Sequence, residues 1–235
     1  MASVDIVLPG YPVRTARGSI GYASSSLVTT DDGRRILVDC AGYADRTQLY
    51  DALRERRLTP DDIDAVVLTH LHFDHAINAR FFRTARVYVT KAEYDFAVWS
   101  ARQYPHADPY TVDDPDALLG PLKTELVDDE LEIAPDVTLF RSPGHTPGML
   151  SVLARTPEGR VAIVSDAAKS VSELITKQVF PSAAVDNAQA TRSIERFLSS
   201  ADWIIPGHDR KVRVVDGHPS LDDVRNRPAL TLYIY

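Results

Sequence analysis

Apolar residues are grouped along this chain in short runs broken by turn residues, a pattern that predicts many strands and few long helices. Ser25 to Thr30 and Arg35 to Asp39 are such runs, and Asp31-Asp32-Gly33 between them reads as the turn of a hairpin. Leu49 and Leu53 lie at helical spacing within Arg46 to Arg56. Thr59-Pro60-Asp61-Asp62 then sets a capping residue before a proline at the first helical position. Ala65 to Leu68 reads as a buried strand, followed by a short helix, a strand at Arg86 to Thr90 and a helix from Lys91 to about Tyr104. Pro105 to Leu122, rich in proline, aspartate and tyrosine, predicts a long surface loop. Strands are expected again at Glu130 to Ile133, Val137 to Phe140 and Leu150 to Thr156, then, past a Pro157-Glu158-Gly159 turn, at Arg160 to Val164. A helix over Asn187 to Ser199 and a strand at Trp203 to Ile205 close the series. No heptads, low-complexity tracts or clear short repeats interrupt it. Two sheets packed together with helices outside would bury this order of elements, so the pattern predicts a layered α/β fold.

Composition narrows the class. With 235 residues, 44% of them hydrophobic, the chain suits one α/β domain or two halves sharing a core; residues 1–235 are taken as a single domain. The formal charge of −7 argues against a nucleic-acid partner, and the basic residues (Arg34-Arg35, Arg54 to Arg57, Arg210 to Arg213) form no long stripe. Cys40 is the sole cysteine, which rules out an internal disulfide and a thiolate metal site and fits a reducing compartment. The opening MASVDIVLPGYPVRT carries neither a cationic region nor an apolar export segment, and no run approaches the ~20 apolar residues of a membrane span. The expectation is a cytoplasmic protein that acts on a small molecule, without a membrane or nucleic-acid partner.

The chemistry concentrates in LTHLHFDHAIN, Leu68 to Asn78, which holds three of the seven histidines. Side chains two apart on extended backbone project to one side, so His70 and His72 can converge on one point. Asp74 and His75 are adjacent and point toward a neighbouring one. A single metal could not easily take all four, whereas two adjacent metals could. Three further candidates each follow an apolar run: His145 in Ser142-Pro143-Gly144-His145-Thr146-Pro147-Gly148, Asp166 after Val161 to Ser165, and His208 after Trp203 to Gly207. Loops at strand ends are where sheet proteins build sites.

The pattern His70-x-His72-x-Asp74-His75, with His145, Asp166 and His208 in order, resembles the metallo-β-lactamase superfamily over nearly the whole chain. The resemblance implies a four-layer αββα sandwich of two mixed sheets with a dinuclear site along one edge. It further implies that His70, His72 and His145 hold one metal, that Asp74, His75 and His208 hold the second, and that Asp166 bridges them. Imidazole and carboxylate without thiolate suit two zinc ions, and iron or manganese also fits. Two metals about 3.5–4 Å apart can hold a water between them and lower its pKa toward ~7, which makes a nucleophile at neutral pH.

The segments THLHFDHAINARFF, ARVYVTKAEYDFA and SPGHTPG are similar to the N-acyl-homoserine lactonase branch, with Phe73 inside the motif as those enzymes tend to have it. The resemblance implies a hydrolase that opens an ester-like carbonyl, lactone or thioester, with Asp74 orienting the hydroxide or carrying a proton. Only 27 residues follow His208, too few for the helical substrate domain of a glyoxalase II. One departure stands out: Lys169 occupies the position, three after Asp166, where those lactonases carry a tyrosine. It is a candidate to stabilise an oxyanion or to bind a substrate carboxylate or phosphate. Tyr88, Tyr94, Tyr104 and Tyr110 are alternative donors, the last two within a segment that would form a lip over the site. Asp39 and Asp209 are candidates to orient ligand imidazoles from behind; His106 and His218 read as surface and turn residues. The competing readings are a lyase, cyclase or thioesterase step of a biosynthetic pathway on the same site, a mononuclear iron dioxygenase, which uses fewer protein ligands, and a metal-binding scaffold without chemistry.

Overall fold

In the computed structural model, which describes residues 1–15, 18–19, 22–103, 107–128, 130–179 and 185–220, the short apolar runs become the strands of two mixed sheets. The first sheet passes from edge to edge through Ser3–Leu8, Ser25–Thr29, Arg35–Val38, Ala65–Val67, Arg86–Thr90 and Lys123–Val127. The pairings are antiparallel up to Arg35–Val38 and parallel beyond it. The second runs through His218–Pro219, Val212–Val215, Trp203–Pro206, Gly159–Ser165, Leu150–Thr156, Val137–Arg141 and Leu131–Ala134. Only Gly159–Ser165 with Trp203–Pro206 is parallel. The helices are α1 (Arg46–Glu55), α2 (Phe73–Ala76), α3 (Lys91–Ala101), α4 (Pro115–Leu119), α5 (Val171–Thr176) and α6 (Asn187–Ser200).

The alternation of side chains along each strand sorts the apolar residues into separate layers. Ile36, Val38, Ala65 and Val67 of the first sheet meet Leu139, Val152, Ile163 and Ile205 of the second in one core between the sheets. Their neighbours point outward: Leu37, Val66 and Val87 pack against Leu49 and Leu53 of α1 and against Phe82. On the far side, Ala162, Val164 and Ile204 pack against Leu174 of α5 and Ile194 and Phe197 of α6. The result is the expected four-layer αββα order. It also explains why Ala65–Val67 is apolar at every position: each of its faces is covered. Burying a single Leu or Phe in such a layer stabilises by roughly 1.5–3 kcal/mol.

Local signals start the helices where they stand. Thr90 Oγ1 accepts the Glu93 N–H at 2.9 Å to cap α3, and Asp114 does the same for Ala117 at 2.9 Å ahead of Pro115 in α4. Thr59 and Asp62 form a reciprocal capping box around the 3₁₀ turn Pro60–Asp62.

The structure departs from the sequence reading in several places, among them helix α5. The expected loop over Pro105 to Leu122 contains α4, and its earlier part pairs with the histidine segment through His72 and Thr111. The third helix ends at Ala101, short of Tyr104, a residue outside the described ones, as is His106. Strands at Ser3–Leu8, Lys123–Val127 and Val212–Val215 go beyond the sequence reading, because each buries only one position and so shows no buried apolar run. His218 lies exposed in a two-residue edge strand rather than a turn. Among the described residues, no helix is long and apolar enough to cross a membrane.

Candidate metal centre

Five strands end at the same edge of the sandwich, and each hands the chain to a polar residue. Arg35–Val38 leads to Asp39, Ala65–Val67 to Thr69 and His70, Val137–Arg141 to the loop of His145, Gly159–Ser165 to Asp166, and Trp203–Pro206 to His208. His72 precedes the first turn of α2, and Asp74 and His75 lie on it. All seven residues expected from the sequence are brought together, and all are buried. Their donor atoms gather in overlapping trios, each within 4.8 Å: His70, His72 and His145; His70, His75 and Asp166; Asp74, His75 and His208. Asp166 faces both sides, with Oδ2 at 3.3 Å from His145 Nε2 and Oδ1 at 3.3 Å from His208 Nε2.

Hydrogen bonds behind the imidazoles decide which nitrogen turns inward. His75 Nδ1 lies 2.9 Å from Asp39 Oδ2, His72 Nε2 lies 2.9 Å from Asp108 Oδ2, and His208 Nδ1 lies 3.0 Å from the Tyr22 carbonyl. Each partner is an acceptor, so each of these nitrogens carries the proton and donates. His70 Nδ1 donates to Thr69 Oγ1 at 3.0 Å, and that hydroxyl donates on to Asp39. The opposite nitrogens therefore present lone pairs to the centre. His72 Nδ1 and His145 Nε2 face each other at 3.1 Å, so a proton or a metal cation must lie between them. His70 Nε2, His75 Nε2 and Asp166 Oδ1 are buried without a hydrogen-bond partner. Buried polar atoms are rarely left so, and a donor set of lone pairs and carboxylate oxygens fits a cation. These residues could hold a metal.

The electrostatics agree. Burial and then the surrounding imidazoles hold His70 well below the ordinary histidine range, leaving it neutral and able to donate its lone pair. Burial opposes charge on His75, yet Asp166, Asp74 and Asp39 push it well above that range. For Asp166 burial is outweighed by His208, Lys169 and His75, which keep it ionised. Three carboxylates around one buried imidazole require positive charge, either as a proton or as a metal.

Asp39, a candidate from the sequence, lies behind His75. The carboxylate of Asp209 accepts the Val171 N–H at 3.0 Å and braces the turn into α5. Asp39 and Ser165 both sit in the left-handed region, at φ 59° and 48°, and meet through a 2.8 Å hydrogen bond from Ser165 Oγ to Asp39 Oδ2. Such strain costs about 1–3 kcal/mol per residue and persists where the surroundings fix it.

A cavity of about 380 Å³ opens beside the cluster. Phe96, Trp99, Pro109, Tyr110 and Val185 supply apolar surface, and His72, His145 and Lys169 the polar end. A larger cavity of about 560 Å³, lined by Arg46, Arg80 and Phe81 among others, contains none of the seven residues, so the chemistry locates the site in the smaller one. Lys169 Nζ lies 3.2 Å from Asp166 Oδ2, and its backbone carbonyl accepts the His208 N–H at 2.8 Å. Burial lowers its pKa and the charge of Asp166 more than restores it, so Lys169 is a cation. Of the tyrosines, Tyr88 is buried in the inter-sheet core and Tyr94 bonds Asp116, whereas Tyr110 lines the cavity. Asp108 escaped the sequence reading, because nothing distinguishes it from Asp113, Asp114 and Asp116 in the same segment until the chain is folded.

Comparison with known proteins agrees with this geometry. The family model described as "Metallo-beta-lactamase superfamily" matches residues 18–208. An N-acyl homoserine lactonase of a Bacillus species is 29% identical over 154 residues, 64% of this chain and 57% of its own length. The N-acyl homoserine lactonase AiiB of Rhizobium rhizogenes is 38% identical over 130 residues, 53% of this chain and 47% of its own. The chain thus spans about half the length of the curated relatives it matches. A crystal structure of Bacillus thuringiensis AiiA, with N-decanoyl-L-homoserine bound at its active site, superposes with a TM-score of 0.65 at 22% identity, covering 79% of this chain and 80% of that one. With the family model spanning both the histidine segment and His208 on a shared four-layer fold, the chain belongs to the metallo-beta-lactamase superfamily.

Proposed function

We propose that this chain is a metal-dependent hydrolase that opens an ester-like carbonyl, lactone or thioester, of a small molecule with an apolar portion. One observation carries the reading: inward-facing imidazole lone pairs and carboxylate oxygens converge around Asp166 at one end of a cavity whose other walls are apolar. His70, His72 and His145 would hold one zinc ion and Asp74, His75 and His208 the second, with Asp166 shared between them. When bound, that metal pair supplies an activated water at neutral pH and polarises the carbonyl.

The protein's own groups do the rest. Phe96, Trp99 and Tyr110 receive the apolar part of the substrate and exclude water around the reacting bond. The Lys169 ammonium, fixed beside Asp166, meets the negative charge that develops on the carbonyl or on the leaving oxygen or sulfur. Asp74, whose Oδ2 lies 3.6 Å from His208 Nε2, would take the proton of the attacking water and deliver it to the leaving group. The bond from the carbonyl carbon to the leaving atom breaks as the new carbon–oxygen bond forms, giving a carboxylate and an alcohol or thiol. The complete set of seven residues favours two metals over a mononuclear iron centre. The likeness to N-acyl homoserine lactonases supports lactones as the first substrates to try, and Lys169 in place of a tyrosine supports including thioesters and anionic esters.

The test is metal content measured alongside a panel of lactones, thioesters and β-lactams. Two zinc ions per chain and turnover of an ester-like member are expected, with turnover abolished in folded His72→Ala and Asp166→Ala. Full activity in either variant would refute the site. Two bound metals with no reaction on any ester-like compound would refute the hydrolase reading.

A further inference from the structure

We propose that Asp108 is a positioning residue that fixes how His72 is presented to the metal and couples that ligand to the wall of the cavity. This rests on the ligand reading above and adds a residue that reading does not use. Asp108 is tied at several points. Its Oδ2 accepts from His72 Nε2 at 2.9 Å, its Oδ1 accepts the Tyr110 N–H at 3.0 Å, and its own N–H donates to Ser100 Oγ at 2.8 Å. Ser100 is fully buried in the last turn of α3, and Pro109 restricts the backbone of Asp108 to extended conformations. The carboxylate therefore has one direction to point, and His72 lies there. The pair is largely shielded, with side-chain exposures of 5% and 17%, so the contact is stronger than a solvated surface pair.

Two consequences follow from this placement. First, an acceptor at Nε2 obliges His72 to carry its proton there and to turn Nδ1 toward His145, which is the nitrogen the site requires; a carboxylate in this position also makes the imidazole a better metal ligand. Second, Asp108 lies in the segment 107–110 that walls the cavity, and that segment is stitched to the ligand loop. Phe73 N–H donates to the Tyr110 carbonyl at 2.9 Å, Val112 N–H donates to the Leu71 carbonyl at 3.0 Å, and the Tyr110 ring stacks on Phe73 with centroids 6.2 Å apart. Asp39, which braces His75, lies away from the cavity lining. Asp108 alone among these carboxylates joins a ligand to the substrate wall.

Asp108→Asn and Asp108→Ala separate this role from a merely structural latch. The asparagine keeps an acceptor for His72 Nε2 without the charge, and the alanine removes both. Zinc affinity is measured by competition with a chromophoric chelator, ligand geometry by the visible absorption of the Co(II)-substituted protein, and the wall by amide hydrogen exchange of residues 107–112 with and without zinc. Asp108→Ala is expected to weaken one of the two metals by roughly 10–100-fold and to alter the Co(II) spectrum. Zinc should slow exchange of 107–112 in the wild type and not in the alanine variant. The asparagine should restore most of the spectrum and part of the affinity. A folded Asp108→Ala protein with wild-type affinity and spectrum overturns the proposal. If the alanine variant does not fold, Asp108→Asn decides, with a roughly 10-fold loss supporting the proposal and unchanged affinity overturning it. A wild-type chain that takes up no zinc overturns the ligand assignment itself, an outcome distinct from the others.

Discussion

Gly207→Ala offers the sharpest test of whether Asp166 must sit where it does. A Cβ built on Gly207 falls 1.9 Å from Asp166 Oδ1 and 2.9 Å from the Ser165 carbonyl carbon, far inside ordinary contact at 3.4 Å. The gap must widen by about 1.5 Å. The glycine backbone is not free to retreat: its N–H donates to the Ser165 carbonyl at 2.8 Å, and its carbonyl accepts the Ser24 N–H at 2.7 Å. The Asp166 carboxylate is the more mobile partner and is expected to swing away from His75, His145 and His208. A displacement of ~1 Å at a reacting site costs on the order of 10²-fold in rate, equivalent to about 2.7 kcal/mol of transition-state stabilisation. Overpacking should also cost about 1–3 kcal/mol of stability. Metal content by elemental analysis, chelator competition and a thermal melt would be measured on the variant and on Gly33→Ala. Gly33 has open space around it and φ +85°, so its variant carries backbone strain alone and should lose about 1 kcal/mol of stability with its metals unaffected. A Gly207→Ala protein that keeps wild-type metal stoichiometry and affinity would refute the claim that Asp166 is held there for the metals.

Three further outcomes are expected. Chelation should lower the melting temperature, because zinc at 1,000 times its dissociation constant stabilises by about 4 kcal/mol per site, or roughly 8–16 °C for a domain of this size; an unchanged melt would argue against metal binding. Trp99→Ala, which shortens the apolar wall, should raise KM for long-chain substrates more than for short ones and leave kcat nearly unchanged, as steady-state kinetics on a chain-length series would show. Phe197→Ala, fully buried and 5.7 Å edge-on from Phe140, should cost about 3–5 kcal/mol in urea unfolding without altering metal affinity in the native state.

Much of this protein is written locally in its sequence. Runs such as Ala65–Val67 and Val161 to Val164 mark strands covered on both faces, and the alternation around Ile36, Leu37 and Val38 assigns each side chain to a layer, because burial acts residue by residue with a period of two. Among the metal-site candidates, His145, Asp166 and His208 stand where apolar runs stop, and His70, His72, Asp74 and His75 are marked by their crowding in one short segment. Tertiary structure alone decided what stands behind them. Nothing local marks Asp108 among its neighbouring aspartates, Tyr22 as the carbonyl that orients His208, or Asp209 as the brace of the Val171 N–H. Each such role needs an atom brought within about 3 Å from a distant part of the chain. Hydrogen bonds of that kind leave no periodic trace in the sequence, and only the packing of two sheets at a common edge creates them.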